Sequence, residues 1–220
     1  MKNLLLSALL TATATLPALA QDYGTLLSSG DAALAKQDYA AALSDYAKAQ
    51  EISTNSGERS FAIAKQALVK SEQKEYPEAK SLATLALEAD GLSAVCKVTA
   101  LQALGVAQMK GDKDFADAAE SFEKAVELPG VDWAQPFLNL LLGDCLRETG
   151  DSEGALQAYD RVIALPNANA NVKASAYFNT GLEQQYRLKN ALKAREAYDN
   201  AVKLNPALKA EADKHTAKLS

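Results

Sequence analysis

The chain has 220 residues, with 23 Lys and Arg against 28 Asp and Glu, for a formal charge of −5 and a pI near 5.0. That acidity argues against a nucleic-acid surface, which needs clustered positive charge. Hydrophobic residues at 48% rule against intrinsic disorder. Alanine fills 44 positions and proline only six, the composition of a helical chain, since alanine is the best helix former.

The first twenty residues read as a secretory signal. Met1-Lys2 is a basic start, Leu4 to Leu16 is apolar, Pro17 breaks the run, and Ala18 and Ala20 put small residues at −3 and −1. Cleavage is expected before Gln21. The apolar run of about 13 residues is too short for a membrane span, which takes roughly 20. Without Lys2 the chain carries a charge of −6, from 22 positive and 28 negative groups. No later apolar run is long enough to span, so a soluble periplasmic or secreted protein is expected.

Residues 21–220 repeat. Asp38-Tyr39-Ala40-Ala41-Ala42, Glu75-Tyr76-Pro77-Glu78-Ala79, Asp114 to Ala118, Asp151 to Ala155 and the segment ending at Ala194 align on their last alanine, at spacings of 37, 39, 37 and 39. A second small residue precedes each alanine: Gly30, Ala67 and Gly143 by twelve positions, Gly105 and Gly181 by thirteen. A period of 20–50 residues signals stacked units. Two helices approach closely only where side chains are small, so each unit is predicted to be a helix pair. Four residues after the alanines stand Tyr46, Ala83, Phe122, Tyr159 and Tyr198, on the same helical face and aimed at the next unit. Gly57, Gly91, Gly111, Pro129-Gly130, Gly150, Pro166 and Asn205-Pro206 are turn signals. Pro77 suits the first turn of a helix.

These units resemble tetratricopeptide repeats (TPRs). The fourth carries Leu142-Gly143, Leu146, Gly150-Asp151, Ala155, Tyr159 and Leu165-Pro166 where that family has its signature. The first, third and fifth match well, and the second is degenerate, with Ala67 for glycine and Ala83 for the ring. The resemblance covers residues 23–206. It implies an all-α, right-handed α-solenoid of five TPR-like helix-turn-helix repeats at about 23–56, 60–91, 98–130, 136–167 and 173–206. The spacing exceeds the family's period of about 34, and the excess is expected between repeats, in Ser53 to Ser60 and Asn167 to Ala174. Residues 207–219 read as a capping helix that covers the last repeat and turns its lysines, Glu211, Asp213 and His215 to water.

No feature points to catalysis. His215 is the lone histidine and reads as a solvated side chain, so zinc and Ser-His chemistry lack their parts. There is no phosphate loop, and no cofactor or metal is expected. The acidic residues lie on helix exteriors in pairs such as Glu120 and Lys124. Cys96 and Cys145 sit eleven register positions apart on neighbouring first helices, about 16 Å along the axis. A disulfide needs Cα atoms within about 7 Å. Buried free thiols are expected, with intermolecular bonding through Cys96 as the alternative.

The resemblance implies a concave face, lined by first helices, that binds a protein or peptide. Its positions lie six and three before the small residue and one, four and five after it. They select Phe61, Ala64, Leu68, Ser71 and Glu72; Thr99, Gln102, Val106, Met109 and Lys110; Phe137, Leu140, Asp144, Arg147 and Glu148; and Ser175, Phe178, Leu182, Gln185 and Tyr186. The strongest groove candidates are Phe61, Leu68, Gln102, Val106, Met109, Phe137, Leu140, Asp144, Arg147, Phe178, Leu182 and Tyr186. Asp31, Leu68, Val106, Asp144 and Leu182 follow the small residues, so the family's Asn/Lys clamp for a terminal carboxylate is absent. Phe61, Phe137 and Phe178 read either as groove or as core. An exported adaptor for an envelope protein or peptide is expected. The alternatives are a module forming homo-oligomers and a carrier or sensor of an envelope glycan or lipid.

Overall fold

The computed structural model describes residues 22–219; the expected signal sequence lies outside them. Five antiparallel helix pairs follow one another: α1 (Tyr23–Ala35) with α2 (Tyr39–Ile52), α3 (Ser56–Glu72) with α4 (Tyr76–Leu87), α5 (Ala94–Ala107) with α6 (Phe115–Val126), α7 (Gln135–Thr149) with α8 (Ser152–Ala164), and α9 (Ala170–Tyr186) with α10 (Ala191–Leu204). A short 3₁₀ turn (Pro206–Leu208) leads into α11 (Lys209–Thr216). Each of α2, α4, α6 and α8 packs on its partner and on the first helix of the next pair. Among the first helices, α3 also packs on α5 and α7 on α9, whereas consecutive second helices make no substantial contact among the described residues. The first helices therefore form the inner layer of the stack, and the second helices splay outward.

Local chemistry places the helix ends. Eight helices begin at Asp22, Asp38, Asn55, Ser93, Asp114, Asp151, Asn169 or Asn190, whose side chains each accept the backbone N–H three residues on. Such a cap contributes about 1 kcal/mol. The two paired helices without one, α4 and α7, carry Pro77 and Pro136 in the first turn. Gly57 is not a turn residue: Asn55 caps α3 and Gly57 lies in its first turn.

Each turn within a pair puts one residue in the left-handed region directly before the second helix's N-cap. These are Gln37, Lys74, Lys113, Gly150 and Lys189, with φ of 60, 64, 61, 91 and 55°. Only one is glycine. A non-glycine residue there costs about 1–2 kcal/mol. Lys74→Gly should therefore raise stability by about 0.5 kcal/mol after the extra freedom of glycine in the unfolded chain is subtracted. A lower urea midpoint for this variant would contradict the assignment.

The surplus over the family period sits between repeats only in part, in the connections 88–93 and 127–134. It also lengthens α3 and α9 to 17 residues each. In the third pair it becomes a wide π-type turn, Gln108–Asp112, which continues α5 and explains the thirteen-residue offset from Gly105 to Ala118. α3 and α5 begin four residues ahead of the spans drawn from the sequence.

The core repeats with the sequence. Tyr46, Phe122, Tyr159 and Tyr198 have no exposed surface. One side of each ring lies on the glycine of its own pair. A Cβ added at Gly30, Gly105, Gly143 or Gly181 would stand 2.5–2.7 Å from the ring. The other side meets the next first helix, with Tyr46 clustering with Val69 and Tyr159 with Ala176. The second pair solves the same problem with Ala67 and Ala83, which pack with Ala103. The largest cluster joins pairs three and four through Val98, Phe122, Leu138 and Leu142.

At the C-terminus α11 stands where a sixth first helix would stand. Ala212 is buried beside Tyr198, and Leu219 joins the same cluster. His215 is not solvated as expected. Its side chain is only 17% exposed, stacks on Tyr198 with ring centres 5.7 Å apart, and meets Phe178 and Tyr186 edge-on. Its Nδ1 lies 2.8 Å from the Tyr186 hydroxyl.

Candidate functional site

The inner layer divides the twelve groove candidates into three groups. Leu68 of α3 and Gln102 of α5 come together with Leu34, Tyr39 and Glu72 around a cleft of about 290 Å³. Phe61 is half-buried on α3, with Lys65 Nζ 5.4 Å from its ring centre. Val106 and Leu140 are half-buried at the margins of the core clusters. Phe137 is 44% exposed, so its ring is not core.

The second group lies where α5, α6 and α7 meet. Met109, Asp144 and Arg147 line a cleft of about 320 Å³ with Lys110, Lys113, Phe115 and Glu148. Met109 is not a groove side chain: it is 4% exposed, and its sulfur takes the Cys145 thiol at 3.5 Å. Asp144 is tied into the seam between α7 and α9. Its Oδ1 accepts from the Tyr159 hydroxyl at 2.9 Å and from Asn179 Nδ2 at 2.6 Å. Burial pushes this carboxyl above the ordinary carboxylate range, against the hydrogen bonds and the nearby Arg147 and Lys110 charges. Asp31 likewise accepts from Tyr46 at 2.6 Å. The position after the small residue thus serves the buried tyrosines in pairs one and four. Arg147 pairs with Glu148 at 2.6 Å.

The third group is partly covered by α11: Phe178 and Leu182 are half-buried, and Tyr186 stays exposed. Phe178 and Leu182 cluster with Tyr198, Ala212 and Leu219 beneath α11. Gln185, a fourth residue at a groove position, donates to the His215 carbonyl at 2.9 Å and accepts from Tyr198 at 2.8 Å. Tyr186 keeps 42% exposure while its hydroxyl bonds His215. The groove register fails here because these positions face the next first helix, and α11 fills that role.

Trp133 and Val95 fall outside the register that selects the groove. Trp133 is 60% exposed and Val95 40% exposed. Both lie ten residues before their glycine, four before Phe137 and Thr99 respectively. A lone tryptophan beside a Pro-Gly turn is the signal in the sequence that could have found the first. Cys96 and Cys145 are buried and free, and burial pushes their thiols up to about 11 and about 12. Thiolates are the reactive form, so both groups are held inert. Among the described residues no three His, Cys, Asp or Glu side chains gather as a metal site, and no helix is long and apolar enough to cross a membrane.

A family model for the tetratricopeptide repeat matches residues 139–168, most of α7 and all of α8. Among solved structures, the chain is similar to YrrB, described as a TPR protein with an unusual peptide-binding site. The identity is 24% and the TM-score 0.62, over 88% of this chain and 93% of that one. BtubC from P. vanneervenii superposes at a TM-score of 0.70 with 16% identity, over 84% and 80% of the two chains. TTC0263, a thermophilic TPR protein of Thermus thermophilus, gives 0.62 and 14%, over 89% and 99%. No curated protein matches the chain. At these identities the solved structures establish the fold.

Proposed function

Because this chain folds as a solenoid of helix pairs like the tetratricopeptide-repeat structures, we propose that it is a non-enzymatic adaptor that binds a partner protein or peptide along its inner layer. One observation carries the reading. The rings four residues after the marker alanines are fully buried, whereas Phe137 on a first helix is 44% exposed. Phe61 occupies the same register two pairs away, and the Leu68–Gln102 cleft lies between them in sequence. Exposed apolar groups on a rigid scaffold mark interaction surfaces, and aromatic anchors contribute about 2 kcal/mol or more each. The peptide-binding site named for YrrB gives the same class of ligand a precedent on this fold. The groove ends at α11, so the bound segment spans pairs two to four.

Residues 1–20 support export, which makes the partner an envelope protein. An intact mass beginning at Gln21 for protein recovered from the exported fraction tests it, and a retained Met1-Lys2 overturns it. The groove is tested by capture from an envelope extract. Phe61→Ala with Phe137→Ala should abolish capture while the melting temperature stays close to wild type. Unchanged capture places the site elsewhere.

A further inference from the structure

A second surface lies on the outer side, where α6 and α8 diverge over α7. The cleft there measures about 570 Å³ and is floored by Gln135, Asn139, Leu142 and Leu146. Asn139 is the residue out of place. The positions four before the small residue in the other pairs hold Leu26, Ile63, Leu101 and Tyr177. Asn139 is 2% exposed, and its Oδ1 has no hydrogen-bond partner.

The orientation of that amide is set by its neighbours. Gln135 Nε2 donates to the Val126 carbonyl at 2.6 Å, so Gln135 Oε1 is left as an acceptor. Asn139 Nδ2 donates to that Oε1 at 3.0 Å and to the Gln135 carbonyl at 2.9 Å. Both amide hydrogens are thereby spent. The chain of polar groups ends in one buried oxygen that can only accept, and such a group is costly unless something donates to it.

The walls say what the donor is. Glu123, Glu127 and Asp151 line the cleft against one base, Arg161. Among the described residues neither Glu123 nor Glu127 forms an ion pair. Val126, Leu142, Leu146 and Ala158 supply apolar surface beside these acceptors. A group with an apolar stem and a cationic, donor-only head matches all three features, and in proteins that is a lysine or arginine side chain. We propose that the α6–α8 cleft is a docking site for a partner segment that inserts a lysine or arginine side chain, its head meeting Asn139 Oδ1 and the Glu123 and Glu127 carboxylates. The site lies on the outer layer, opposite the groove of the proposed adaptor function, so the two stand or fall separately.

The test uses the chain from Gln21 and two capped pentapeptides, acetyl-Ala-Leu-Lys-Leu-Ala-amide and the same peptide with glutamate at the centre, followed by ¹H–¹⁵N NMR. The lysine peptide should shift the Asn139 side-chain amide and the α6 and α8 backbone, and the glutamate peptide should not. Asn139→Leu, which installs the residue type of pairs one and three, should weaken binding about tenfold or more without lowering the melting temperature. Glu123→Gln with Glu127→Gln, both on the cleft wall, should weaken it similarly, and this pair serves if Asn139→Leu misfolds. Failure of the lysine peptide to bind, equal shifts from both peptides, or full affinity in these variants overturns the proposal. Putrescine binding as tightly as the lysine peptide also overturns it, in favour of a free-cation site. Phe61→Ala with Phe137→Ala should leave this binding untouched.

Discussion

Gly143→Ala is expected to destabilise the protein by about 1–3 kcal/mol, although alanine is the better helix former by about 1 kcal/mol. The added Cβ would lie 2.5 Å from Tyr159 Cε1. That ring cannot step aside, because it has no exposed surface and its hydroxyl is fastened to Asp144 at 2.9 Å. Tyr159→Ala alone should cost more, about 3–5 kcal/mol, since it empties the seat and removes a donor from a mostly buried carboxylate. The double variant should cost less than the sum of the two. With the ring gone the alanine methyl has room, and contacting positions couple in this way. The second pair already carries the all-alanine solution at Ala67 and Ala83. Lys124→Ala, which breaks only an exposed pair with Glu120, should change stability by less than about 0.5 kcal/mol. Equal urea midpoints for Gly143→Ala and Lys124→Ala would contradict the seating of rings on glycines.

Phe178→Ala and Phe137→Ala should separate sharply. Phe178 lies 5.3 Å from the Tyr198 ring centre and 5.7 Å from that of His215, under α11. Its removal undercuts both α10 and the cap and should cost about 3 kcal/mol. Phe137 is 44% exposed on the first turn of α7, and its removal should cost less than about 1 kcal/mol. The loss at Phe178 should appear first as faster amide exchange in α10 and α11, because a solenoid unravels from the end whose interface is weakened. Similar losses at the two positions would mean that Phe137 is also core, and the groove reading would lose its anchor.

The periodic features were legible in the sequence because they are local. The alanine and glycine markers and the rings four residues on each report a contact within one pair or with the next. What the sequence concealed depends on what stands beside a residue. Positions of the groove register face solvent at Phe137, the buried Cys145 thiol at Met109, and a cap helix at Phe178. His215 reads as solvated because its helix is polar, yet it docks among three rings at the end of the stack. The extra residues of pairs two and five read as linkers, but Asn55 and Asn169 start α3 and α9 early and draw them into helix. Asn139 breaks a register position that is apolar or aromatic in the other pairs, but its burial and its unspent oxygen, which give the break its meaning, show only in the structure.

The central claim, that the inner layer receives the partner, is tested most directly by hydrogen exchange on the complex with the captured protein. Protection should concentrate in the first helices α3, α5 and α7, over residues 58–72, 95–107 and 135–148, with little change in α4, α6 and α8. Protection confined to the second helices, with α3 and α7 exchanging as in the free protein, would contradict it.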